Sequence, residues 1–388
     1  SELAAEQIAR FARAFQASQI VRWTNTPGVK RGIDWIAEPA EVEAAVLSAW
    51  NDTPGPAPKI SLAERFKQLG LTPPGVVVAN VNDRAWIAAA ALAAGRGQPI
   101  HWISTPRPNL HGTMTRGDVQ SLEKSITDFC TEQGYAWDQL GDDIDAITLC
   151  TAIPHIVQAV APAKDELALT DMLGRRGSDP TQRWAWTGQI FFGPAQSAYV
   201  AMCSLFLHPS SAWLFDGYPD EGAWKEYDQG PAAEIFRQVK FGVELIDKPT
   251  QSIQDWISRT REPLAADIIF VNTKGNADFF ELLPGYGRSG DVPILSRPAL
   301  VHFTHSWSAR SPLNRNTVGG RWLERGAFAY FGSMSEPGLA AFLPNKVVAA
   351  RLASGFAWGA APRYDGGAPW KLTVIGDPLF TLGPAAPR

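Results

Sequence analysis

The stretch GVVVANVNDRAWIAAAALAAGRGQPIHWI, Gly75 to Ile103, decides how the rest of the chain is read. Its first six residues, Gly75-Val76-Val77-Val78-Ala79-Asn80, form an apolar run of strand length rich in β-branched side chains, the pattern of a strand buried on both faces. Residues 83–94 then carry apolar side chains through a helical stretch that meets a stop at Gly95, and 100–103 supply a second strand. A strand, a helix and a strand in that order make a βαβ unit, whose strands run parallel and whose crossover is right-handed.

Outward from this unit the alternation continues. A helix is predicted over 119–133 and a strand over 145–150, so the class is α/β with a mostly parallel sheet covered on both faces. Past the middle come helices over 195–207, 232–241 and 253–261 and strands over 243–246, 267–272 and 299–304. The end of the chain adds a helix over 319–325, a strand over 327–332, a helix over 345–354 and a strand over 371–375. The pattern predicts a three-layer sandwich built as two α/β halves. Ahead of them, apolar residues at helical spacing mark amphipathic helices over 5–15 and 41–50, and Asp-Thr-Pro-Gly-Pro-Ala-Pro at 52–58 holds too many breakers for regular structure. The division drawn is an N-terminal helical appendage and linker (1–58), a first α/β subdomain (59–230) and a second (231–388).

Composition narrows the function classes. The chain has 388 residues, 45% of them hydrophobic and 19% charged, as expected of a soluble globular protein. A formal charge of -4 with no basic run argues against nucleic acid as the main partner. Cys130, Cys150 and Cys203 are too few and too far apart for a disulfide framework or a zinc knuckle, and read as buried thiols. No apolar run is long enough for a transmembrane segment, and the opening Ser1-Glu2-Leu3-Ala4-Ala5-Glu6 lacks the order of a signal peptide, which leaves the compartment open. The 15 Trp and 30 Pro fit a loop-rich fold with large aromatic packing units rather than a coiled coil.

In parallel sheets, ligands bind beyond the carboxyl ends of strands. Two polar tips stand there on apolar strands: Asn272-Thr273-Lys274-Gly275-Asn276 and Thr304-His305-Ser306-Trp307-Ser308. Period-2 alternation puts His302 and His305 on different faces, and His101, His111, His155 and His208 show no ligand spacing, so no metal site is expected. No Gly-x-Ser-x-Gly elbow, Gly-x-Gly-x-x-Gly turn or phosphate-binding loop is present, which removes the ordinary hydrolase, dinucleotide and nucleotide readings and leaves no cofactor implied.

From Asp145 to Leu382 the chain resembles the gingipain-type cysteine peptidases and their bacterial relatives, which share the caspase-like α/β fold. The matching pieces, in order, are Ile153-Pro154, Leu169-Thr170-Asp171-Met172-Leu173, Trp186-Thr187-Gly188-Gln189-Ile190 ahead of a helix over 197–207, the strand ending in Lys274-Gly275 and the strand ending in His305. They close with Gly326-Ala327-Phe328-Ala329-Tyr330-Phe331-Gly332-Ser333 and Ile375-Gly376-Asp377-Pro378-Leu379-Phe380. The resemblance implies that 231–388 is the caspase-like subdomain. In that family a His-Gly pair ends one strand and the catalytic Cys ends the next. Here Lys274 stands before Gly275, His305 or Ser306 takes the place of the Cys, and no cysteine lies between 204 and 388.

What the resemblance implies is therefore a degenerate site at Lys274, Gly275, His305 and Ser306, with Asn272, Asn276, Glu336 and Asp171 as further cleft candidates. The expected function is that of a catalytically inactive relative that binds a peptide or protein partner or serves in an assembly. The alternative is a rebuilt hydrolase, with Ser306 as nucleophile, Lys274 or His305 as base and amides near Gly275 as an oxyanion hole. Three further expectations are specific. Glu336 pairs with Lys274, Asp171 caps a helix, and Asp377 closes the turn after the last strand. The aromatic residues Trp213, Phe215, Tyr218, Trp224 and Tyr227 serve either a core or an interface.

Overall fold

A computed structural model of the chain describes residues 2–16, 19, 36–51, 60–105, 109–159, 165–247 and 251–383; the linker read at 52–58 lies outside them. Three helices come first, α1 (Glu2–Phe15), α2 (Pro39–Ala49) and α3 (Leu62–Gln68). The expected βαβ unit follows as β1 (Val76–Asn80), α4 (Trp86–Arg96) and β2 (Ile100–Ile103), then α5 (Arg116–Glu132) and β3 (Ala146–Cys150). Small pairs β4 (Ile156–Val157) with β5 (Leu167–Ala168) and β6 (Arg175–Arg176) with β7 (Asp179–Arg183) flank the short helix α6 (Leu169–Met172) and precede β8 (Trp186–Ile190). The rest runs α7 (Pro194–Phe206), β9 (Ser211–Asp216), α8 (Gly230–Gln238), β10 (Gly242–Ile246), α9 (Ile253–Thr260) and β11 (Ile268–Asn272). A hairpin sheet of β12 (Lys274–Asn276), β13 (Phe279–Glu281) and β14 (Tyr286–Arg288) leads to β15 (Ala299–Thr304). The chain ends with α10 (Val318–Glu324), β16 (Ala327–Ser333), α11 (Asn345–Ala353) and β17 (Leu372–Ile375).

The molecule is α/β, with one ten-stranded sheet in the order β10-β9-β11-β15-β16-β17-β8-β3-β1-β2. Each neighbouring pair in it is parallel except β16 and β17. The two halves meet at β17, where Ile375 pairs with Gln189 of β8 and the Gly376 N–H donates to the Gln189 carbonyl at 2.8 Å. Asp377 closes the following turn as expected, accepting from the Leu379 N–H at 3.0 Å, and its carboxylate also takes the Arg96 guanidinium and the Ser204 hydroxyl.

Helices cover both faces, consistent with three layers. On β1, Val76 and Val78 join the cluster that holds Val119, Ile126 and Cys130 of α5, whereas Val77 and Ala79 join Ala88 and Leu92 of α4. The alanine-rich α4 lets α7 approach so closely that a Cβ on Gly95 would lie 2.6 Å from Leu205. Towards the β10 edge of the sheet, Trp213 and Phe215 pack edge-on against Trp256 of α9 at 5.5 and 5.0 Å, while Phe270 on the opposite face meets Phe236 of α8 at 5.5 Å. Each such side chain, fully buried, contributes roughly 1.5–3 kcal/mol. Trp213 and Phe215 are thereby core residues of β9. The N-terminal helices share this core: Val42, Val46 and Leu47 of α2 are buried in it, and Phe11 of α1 meets Tyr199 of α7 at 5.7 Å. Among the described residues no helix is long and apolar enough to cross a membrane.

His302 sits in the middle of β15, between the rings of Phe270 at 4.9 Å and Phe331 at 5.3 Å, and neither ring nitrogen has a hydrogen-bond partner. Burial pushes its pKa down to about 3. A histidine depressed on folding stabilises the fold fully above its unfolded pKa, near 6.5, and loses that contribution as pH falls towards the folded value. His302→Phe, which keeps the stack and removes both unpaired nitrogens, is expected to raise the melting temperature more at pH 5 than at pH 8. The differential is about 2 kcal/mol. Thermal melts of both proteins at the two pH values check it, and an equal difference at both rejects it.

Candidate functional site

The two tips are brought together. β11 and β15 are adjacent, with Asn272 opposite Thr304, and the Thr273 N–H donates to the Thr304 carbonyl at 3.0 Å. Beyond β11 the chain passes at once into β12 and turns back through β13, an element the sequence reading did not foresee. Beyond β15 it enters a turn in which Trp307 adopts a left-handed φ of 62°, held by its N–H to the Ser335 carbonyl and its carbonyl to the Arg310 N–H. Between the two tips opens a cleft of about 360 Å³, lined among others by Lys274, Gly275, His305, Ser306 and Glu336.

His305 is the most constrained group in it, only 1% exposed. Its Nε2 lies 2.9 Å from the Asn276 carbonyl, which can only accept, so Nε2 carries the proton. Nδ1 is then the acceptor, and the Thr273 hydroxyl donates to it at 2.9 Å. Burial lowers the pKa to about 4, against the opposing pull of the Asn276 and Phe279 carbonyls and of Glu336. The ring is neutral at physiological pH with both nitrogens occupied. Gly275 allows this close fit, because a Cβ there would lie 2.4 Å from the Phe279 carbonyl oxygen and 2.6 Å from His305 Cε1.

Lys274 is exposed and stands directly across the hairpin from Glu281, their charged groups 3.5 Å apart. The ammonium also lies 5.1 Å from the centre of the Tyr218 ring, which stacks on Trp224 at 4.4 Å and donates its hydroxyl to Glu281 at 2.7 Å. The expected pairing of Lys274 with Glu336 is therefore corrected: the antiparallel register supplies Glu281 instead, and Glu336 accepts from the Gly338 N–H at 3.1 Å. Ser306 is half-buried on the cleft wall, and its hydroxyl makes no hydrogen bond to Lys274 or His305.

The remaining candidates have other work. Asn272 is buried and ties three segments together, accepting from the Gly217 N–H at 2.6 Å and donating to the Tyr227 carbonyl at 2.8 Å. Asn276 serves the cleft through its backbone carbonyl, while its side chain accepts from the Ala277 N–H at 2.7 Å. Asp171 does not cap a helix, since the capping position of α6 is Ala168; its carboxylate is surrounded by Arg175, Arg183 and Arg363 beside a separate cavity. The sequence reading did not single out Asp216, Asp220 and Asp228, which bring one carboxylate oxygen each within 4.8 Å of one another beyond β9. Of the described residues these come nearest to a ligand set for a hard cation.

No family model, no curated protein and no solved structure matches the chain.

The Thr273–His305 contact yields a direct expectation. Thr273→Val keeps the volume but leaves Nδ1 of His305 buried and unpaired, a loss of about 1–3 kcal/mol, whereas Thr273→Ser retains the donor. Urea unfolding of the two variants and the parent checks this; a valine variant as stable as the parent contradicts the assigned hydrogen bond.

Proposed function

We propose that the protein is a catalytically inactive relative of the gingipain-type, caspase-like peptidases, and that the cleft beyond β11 and β15 holds an extended segment of a peptide or protein partner. The observation that carries the reading is the occupancy of His305: with Nε2 on the Asn276 carbonyl and Nδ1 on the Thr273 hydroxyl, no ring nitrogen is left to take a proton from Ser306. The juxtaposed strand ends agree with the arrangement that the resemblance implies, with Lys274-Gly275 and His305-Ser306 where a His-Gly pair and a Cys would stand.

A thiol does not replace the lost chemistry. Cys130, Cys150 and Cys203 are all buried; burial pushes Cys130 up to about 12 and holds the other two well above the ordinary thiol value. The cleft has what peptide capture requires. Its wall includes β12, the edge strand of the three-stranded hairpin sheet, which can pair with an added strand. Trp224, Phe279, Leu339 and Phe342 supply apolar surface, and Glu281 and Glu336 set a charged rim with Lys274.

One observation favours the rebuilt hydrolase instead, the left-handed backbone of Trp307 next to Ser306, since strained residues gather at catalytic turns. Labelling separates the two readings. Folded protein is treated with a serine-directed fluorophosphonate and a cysteine-directed haloacetamide and the adducts are located by mass spectrometry. No adduct at Ser306 is expected; one that forms only on the folded protein would establish the hydrolase.

Peptide capture has its own test. Peptides selected from a displayed library are expected to lose about tenfold in affinity on Trp224→Ala, the loss of about 1.4 kcal/mol typical of an aromatic anchor. Fluorescence anisotropy measures it, and binding indifferent to Trp224 places the peptide outside this cleft.

A further inference from the structure

On the other side of the segment that carries Pro337 lies a second cavity, of about 520 Å³. Its charged lining is Asp171, Arg175, Arg183 and Arg363, with no other carboxylate among the described residues. All four are buried, at 2–5% exposure. Asp171 is the common counter-ion: Arg175 reaches its Oδ2 at 3.3 Å, Arg183 its Oδ1, and the Arg363 Nε stands 3.6 Å from the same Oδ1. The Trp370 N–H also donates to it, at 2.6 Å. Three guanidinium groups against one carboxylate leave two positive charges uncompensated in the interior, an arrangement that is expensive unless something balances it.

Among the described residues nothing supplies the balance. Arg175 is saturated by backbone carbonyls of Asp171, Pro180 and Gly367, and Arg363 donates to the Thr187 carbonyl at 3.0 Å and the Thr170 hydroxyl at 2.8 Å. Arg183 has no such set. It lies over the Trp186 ring at 4.7 Å, gives one nitrogen to Asp171, and leaves Nε and Nη1 without an acceptor; Nε of Arg363 also lacks one. The strain shows in the titration of the group. Burial depresses Arg175 to about 10 and Arg363 to about 9, and although burial alone would raise Asp171, the three arginines together hold it at about 2. Arg183 and Arg363 both line the cavity, and planar guanidinium groups are suited to carboxylate and phosphate oxygens.

We propose that this cavity binds a compact oxyanion, a phosphate or carboxylate group, which neutralises the buried arginine cluster through Arg183 and Arg363. The inference does not rest on peptide capture in the first cleft, and the two are separable by experiment. Isothermal titration calorimetry in a low-salt, phosphate-free buffer uses two probes, inorganic phosphate and the blocked peptide acetyl-Gly-Asp-Gly-amide. Saturable one-to-one binding of at least one is expected, and the one that binds identifies the source of the anion as free or side-chain. Arg183→Gln and Ala340→Trp, the latter filling the mouth from an exposed wall residue, are each expected to weaken binding tenfold or more. Trp224→Ala, which belongs to the first cleft, leaves it unchanged. Should Arg183→Gln fail to fold, Ala340→Trp decides alone. Failure of both probes to bind the parent protein, or binding that survives Ala340→Trp unaltered, overturns the proposal.

Discussion

Burial of the central strands on both faces is the constraint from which the rest of the molecule follows. β1, β3, β11, β15 and β16 expose nothing along their length, so their backbone polar groups are consumed by the ladder and their side chains by the two helical layers. Polar chemistry is thereby driven to the strand ends. Because β11 and β15 are parallel neighbours, their polar tips emerge side by side without any further device, and the cleft is a consequence of the ladder. His302 is an exception that measures the constraint, a polar ring held in the aromatic layer with both nitrogens unpaired.

Two histidines three apart, one within β15 and one just past its end, illustrate how environment decides role. His302 lies between two rings with its nitrogens unpaired; His305 has an oxygen partner at each ring nitrogen. Both are driven neutral by desolvation, yet only His305 contributes to holding the cleft, by fastening the end of β15 to the hairpin that begins at β12. The hydrogen bonds that make it a good fastener are the ones that make it a poor base. Occupying both imidazole nitrogens removes the free lone pair that proton abstraction needs.

Much of this was legible in the sequence where the signal is local. The βαβ unit, the strands over 267–272 and 299–304 and the helix over 345–354 all appear in the structure as elements, whereas whether Lys274 and His305 are neighbours could not be read from their separate segments. What was not legible is what long-range pairing determines. Ser211–Asp216 is a strand between two others, but its Trp213 and Phe215 read equally well as interface residues until α9 is placed over them. The partner of Lys274 depends on a hairpin register, which places Glu281 opposite it. The antiparallel direction of β17, and the joining of both halves into one sheet through it, leave no mark in its short apolar run.

Asp171 carries the same lesson to a different end. Within its own segment it follows a threonine and precedes a helical turn, which is the local signature of a cap. One arginine, Arg175, stands four residues away, but Arg183 and Arg363 arrive from β7 and from the segment after α11, the latter almost two hundred positions on. Only the assembled fold shows that three cations share one anion. A structural ion pair needs one arginine, and an apolar core of the same volume would need none. Keeping three in the interior, with donors of Arg183 left over, is an arrangement that stability alone does not favour; it becomes intelligible when the missing negative charge is brought from outside.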